Sequence, residues 1–151
     1  LINAKRYEDA YALGDLAMRL GDEHARNQFA GILIQTVQAL FQTQPIDFQN
    51  GAAMSRRALA ATTNDQIRNA ANFYLGVSAF QLAIAKDAEI VEAKSCEMIP
   101  QLESLVAEAG QAMTAGQSVS PEYAQPILNG IEQYQGPRGR IQNVLRRAFC
   151  R

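Results

Sequence analysis

Apolar residues recur at steps of three and four along almost the whole chain, which is the spacing of one face of an α-helix. Tyr7, Ala10, Leu13, Gly14, Ala17 and Leu20 predict a first helix over about Lys5 to Leu20. Gly21 supplies a stop, and Asp22 can cap the next helix. Phe29, Ile32, Leu33, Val37, Leu40 and Phe41 form the face of that second helix, about Glu23 to Gln42. Pro45 ends it by disfavouring helix at Gln44. Asp47 caps a third, about Phe48 to Ala61, with Ala52, Ala53, Ala58 and Leu59 inward. After "TTND", Asn64 or Asp65 caps a fourth, to about Ala85. A fifth is expected from about Asp87 to Met98, and a sixth from Pro100 to near Gly116. Ser120 followed by Pro121 starts a seventh, which ends near Gln135 at "GPRG". Ile141, Val144, Leu145, Ala148 and Phe149 line a last amphipathic helix. Val, Ile and Thr rarely alternate with polar residues, so nothing argues for a sheet. The reading is all-α, with seven or eight short helices whose short connections make antiparallel neighbours.

One residue bears on how these helices are arranged. Gly76 stands inside "NFYLGVSAFQLA", where glycine costs about 1 kcal/mol relative to alanine. A close helix crossing would offset that cost, because a missing side chain lets two axes approach and make more dispersion contacts. Gly110 in "AEAG" lies 34 residues further on, and Gly31 in "QFAG" precedes Gly76 by 45. Ala79, Ala83, Ala88, Ser95 and Pro100 follow Gly76 at three, seven, twelve, nineteen and twenty-four residues. This spacing resembles the tetratricopeptide repeat family, as does "RYEDAYALGDLA", with Tyr7, Ala10, Gly14 and Ala17 at matching steps. Glu92 departs from the family's aromatic position. Gln117 and Glu122 stand where small residues are usual.

The resemblance implies a right-handed stack of antiparallel helical hairpins spanning residues 1–151 as one domain, with residues 138–151 as a capping helix. It implies a non-enzymatic adaptor that holds a peptide or helix of another protein on its concave face. The polar residues of the first helices are then the candidate contacts: Asn27, Gln28, Gln35, Gln38, Asn69, Asn72 and Gln81. Their amides carry both donors and acceptors for an extended backbone. The first hairpin looks incomplete, so the chain reads as a segment of a longer array or as one half of a homodimer formed through the N-terminal helix.

Composition narrows the alternatives. A chain of 151 residues can bury a sizeable core. The net charge of -1 gives no global attraction to nucleic acid or membrane, and no apolar run reaches the roughly 20 residues of a membrane span. The start lacks both Met and a signal-peptide pattern. A trimmed chain is therefore expected, with a cytoplasmic location favoured and export open. From Asp87 to Glu132 there are eight acids against Lys94, and from Arg138 to Arg151 five arginines and no acid. The arginines offer an alternative function, binding nucleic acid or an anionic surface. Packing as a cap, paired with the acidic helices, is the simpler reading. His24, the only histidine, reads as a solvated first-turn residue without an orienting partner or nucleophile at a catalytic spacing. No cofactor or metal motif is present. Cys96 and Cys150 fit one disulfide, two buried thiols or neither, with small core residues the favoured reading. Phe29, Phe41, Phe48, Phe73, Tyr74, Phe80 and Phe149 read as core.

Overall fold

The computed structural model describes residues 4–151, without the side chains of residues 4–7, 10, 17 and 20. The inward positions assigned to Tyr7, Ala10, Ala17 and Leu20 lie outside the described side chains. The described chain is all-helical: α1 (Ala4–Leu20), α2 (Glu23–Phe41), α3 (Phe48–Ala61), α4 (Asp65–Ala93), α5 (Ile99–Gly116), α6 (Pro121–Tyr134) and α7 (Arg146–Phe149). Short 3-10 turns at Cys96–Met98 and Gln117–Val119 lead into α5 and out of it, and a π turn at Ile141–Leu145 runs into α7.

Local chemistry explains three of the helix starts. Asp22 accepts the N–H groups of His24 and Ala25, Asp47 that of Asn50, and Asn64 that of Ile67. Each cap satisfies donors that the first turn cannot pair internally. Of the two candidates at the start of α4, Asn64 is the cap. Ser120 stands at the start of α6 with Pro121 in the first turn, but its side chain makes no capping bond.

The break expected between Ala85 and Asp87 does not occur. α4 is one continuous helix of 29 residues. No glycine or proline interrupts it after Gly76. Asp87, the expected start of a fifth helix, lies buried in its interior, paired with distant residues. The helix ends instead at Lys94, whose left-handed backbone (φ 53°) lets Ser95 N–H reach the Ile90 carbonyl at 3.2 Å. The stretch from Gly76 to Ala93 is therefore part of one rod and not a hairpin.

Gly76 does mark a close crossing, with α5 as the partner. A Cβ built on Gly76 would stand 2.9 Å from Met113 Cβ and 3.0 Å from its backbone N and Cα. Gly116 returns the contact from α5, since its Cβ would meet the Phe73 nitrogen at 2.3 Å. The two helices thus touch backbone to backbone at both glycines. Gly110 faces α6, where a Cβ would approach Ile131 Cγ2 at 3.3 Å. At Gly31 the nearest atom is Ile67 Cδ1, at an ordinary 3.9 Å. Gly14 of α1 receives the Phe29 ring of α2.

Two apolar clusters lie along α4. Leu33, Ile34 and Val37 of α2 gather with Met54 and Ala58 of α3 and Ala71 of α4. Val77, Ile90, Leu102, Val106, Met113, Ile127 and Ile131 form the second, which Ile141 and Leu145 join. Phe41, Leu59 and Tyr74 border both clusters. Helices in contact are chiefly neighbours in chain order, and α4 is the rod against which α3 and α5 both lie.

Cys96 and Cys150 form a disulfide, with α-carbons 5.1 Å apart, in place of the expected separate thiols. The bridge fastens the α7 end to the corner between α4 and α5.

Candidate functional site

Where the two clusters meet, the surface opens into a groove of about 580 Å³. One wall is the C-terminal turn of α2, with Gln38, Phe41 and Gln42, continued by Ile46. The floor is Phe73 and Tyr74 of α4. The other wall is Val119, Ser120 and Tyr123, at the turn from α5 into α6. The Gly116 contact places that wall, because it seats the end of α5 directly on the backbone of Asn72 and Phe73.

The aromatic rings form a continuous series. Phe48 meets Phe41 edge-on (centroids 5.9 Å), Phe41 meets Tyr74 (5.0 Å), Tyr74 meets Phe73 (5.4 Å) and Phe73 meets Tyr123 (6.0 Å). Such spacings are favourable for edge-to-face rings. They hold the floor rigid while Tyr123 (53% exposed) and Val119 (45% exposed) remain open to solvent. Gln38 and Gln42 are one helical turn apart and supply amide donors and acceptors along one edge. None of the lining residues is an acid or a base of the Lys, Arg, His, Asp or Glu type.

The predicted contact residues divide between other roles and this groove. Gln38 lines it. Asn27 does structural work. Its carbonyl oxygen accepts from Thr62 Oγ1 (2.7 Å) and Thr63 N (2.9 Å), and its amide donates to Thr63 Oγ1 (2.9 Å), tying α2 to the connection between α3 and α4. Gln28 and Gln35 are exposed on α2, and Asn69 is exposed on α4. Asn72 and Gln81 are half-buried on α4 and, like Gln28, Gln35 and Asn69, do not line the groove. Phe73, expected as core, is buried in it, Phe41 and Tyr74 border it, and all three also face the groove. Ile46, Val119, Ser120 and Tyr123 carry no signal in the sequence beyond that of turns. Proximity of the two turns arises from the α4–α5 crossing, which local patterning does not encode.

The charged half of the chain is organised elsewhere. Asp87 accepts a two-pronged contact from Arg140, Nε to Oδ2 at 2.6 Å and a terminal nitrogen to Oδ1 at 2.9 Å, and Tyr134 Oη donates to Oδ2 at 2.8 Å. Burial pushes the Asp87 carboxyl up, but the hydrogen bonds from Arg140 and Tyr134 outweigh it and hold the group below its ordinary value. Burial, with the Asp87 hydrogen bond, raises the Tyr134 phenol far above its usual range. Arg146 pairs with Glu103, and Arg56 with Glu108 at 2.7 Å. Two of the five C-terminal arginines are thereby engaged within the molecule. Arg138, Arg147 and Arg151 are exposed. His24 is exposed beside Asp22.

Comparison with protein-family models, with curated proteins and with solved structures finds no match for this chain. Among the described residues, no helix is long and apolar enough to cross a membrane.

Proposed function

We propose that this chain is a protein-binding module, a tetratricopeptide-like stack of helical hairpins that takes an extended segment of another protein into the groove bounded by Gln38, Phe73 and Tyr123. The open aromatic groove carries the reading. It combines a rigid apolar floor, an exposed ring at the rim and two amides one turn apart. That is the combination by which aromatic-lined grooves hold an extended peptide, with side-chain pockets for anchors and polar groups for the backbone. The lining without Lys, Arg, His, Asp or Glu suits anchors that are themselves uncharged, since burying an unpaired charge against these rings would be costly. The pairing of helices in chain order supports the hairpin stack. The 34-residue spacing contributes less, because Ala79, Ala83, Ala88 and Glu92, which a hairpin would divide between two helices, all lie within α4. The Cys96–Cys150 bridge favours an oxidising compartment over the cytoplasm.

Selection from a random-peptide display library tests the reading. The wild-type chain should enrich segments with uncharged apolar anchors, and Tyr123→Ser should abolish that enrichment without loss of folding, since Tyr123 is exposed. Enrichment that survives Tyr123→Ser would place binding elsewhere. At the other end, Leu13 (67% exposed) and Leu16 (47% exposed) of α1 offer the apolar surface a second copy would cover. Sedimentation should then show a dimer that Leu13→Glu dissociates; a wild-type chain that stays monomeric at high concentration would remove that proposal.

A further inference from the structure

The segment after α6 is built like a hinged clasp. It leaves the helix at Gly136, whose φ of +80° few other residues adopt. It turns sharply at Gly139, where a Cβ would lie 2.2 Å from the Gln135 carbonyl oxygen. Beyond this hinge the turn carrying buried Ile141 and Leu145 lies against α5, and half-buried Phe149 packs on the second apolar cluster. Arg140 reaches Asp87 of α4 and Arg146 reaches Glu103 of α5. The far end is fixed by Cys150 to Cys96, and both cysteines are half-buried. A gap of about 350 Å³ remains, lined by Glu103 and Val106 of α5, Tyr134 of α6, and Ile141 and Gln142 of the segment itself.

We propose that residues 136–151 are a redox-latched strap over the α5–α6 groove, held shut by the Cys96–Cys150 bridge and opening about Gly136 and Gly139 when a dithiol reduces it. One thiolate of the dithiol attacks a bridge sulfur, the Sγ–Sγ bond breaks and a mixed disulfide forms. The second thiol displaces it. Two electrons and two protons pass from the dithiol to the protein, leaving Cys96 and Cys150 as thiols and the reductant as its cyclic disulfide. Two ion pairs and three apolar side chains then remain to hold the strap. The two arginines are partly exposed, so water competes for both ion pairs. This site lies apart from the peptide groove and does not depend on it.

Hydrogen exchange followed by mass spectrometry on the whole chain tests the latch, comparing the oxidised protein, the protein in dithiothreitol and Cys150→Ser. In both unbridged forms, amides of residues 140–149 should exchange at least tenfold faster, while those of α2, α3 and the first half of α4 keep their protection. Unchanged protection at 140–149 would show that the bridge does not latch the strap. Acceleration throughout the chain would show that it is a staple for the whole fold, and would equally overturn the proposal.

Discussion

At Gly76 a single hydrogen in place of a methyl group decides how near two helices stand. Alanine there would gain about 1 kcal/mol of helix propensity. It would also set a carbon 3.0 Å from the Met113 backbone, which cannot rotate away as a flexible side chain would. Overpacking of this kind costs about 1–3 kcal/mol, so Gly76→Ala should lower stability in chemical denaturation despite the better propensity. Gly31→Ala supplies the contrast. Among the described residues no neighbouring atom lies closer than 3.9 Å, and the same propensity gain of up to about 1 kcal/mol should appear as added stability. The sequence shows that Gly76 is out of place in a helix and that a close crossing would explain it. It does not distinguish Gly76 from Gly31 or reveal Gly116, because that distinction depends on what arrives from the other helix.

Among the elements, α4 departs most from its expected form. Its caps and apolar face are local and legible in the sequence, down to Asn64 as a candidate start. Its length is not. Asp87 has the residue type of a helix start, but its carboxylate is claimed by Arg140, 53 residues away, and by Tyr134. That pairing joins α4 to the end of α6 and to the strap. It also makes a pH prediction. Because the folded-state value of Asp87 is depressed, its contribution is complete above the ordinary aspartate value of 3.8 and is lost as pH falls through the lower folded value. Asp87→Asn should therefore destabilise by about 1–3 kcal/mol near neutrality, the range for hydrogen bonds to charged groups. The difference from wild type should shrink in acid below that value. A gap between the two proteins that stays constant from pH 7 to pH 2 would count against the pair.

Taken as a whole, the described chain is all-helical, with α3 and α5 lying against the long α4 and a groove where its two apolar clusters meet. The all-helical class is legible because a 3.6-residue period needs no tertiary information. Gln38 is legible as a polar position on an outward face. The groove is not, because its walls come from two turns some 75 residues apart in sequence, and each turn alone looks like ordinary punctuation. The bridge between Cys96 and Cys150 stays open in the sequence for the same reason, since spacing alone cannot bring two cysteines together. The central claim is that the groove receives an uncharged extended segment. The most direct test is an ¹⁵N-edited nuclear magnetic resonance titration of the chain with a peptide obtained from the display selection. The account predicts dose-dependent shifts centred on the amides of Gln38, Gln42, Phe73 and Tyr123, absent in Tyr123→Ser. Shifts centred on α1, on Asn69 and Gln81, or on the strap, with these four amides unmoved, would contradict it.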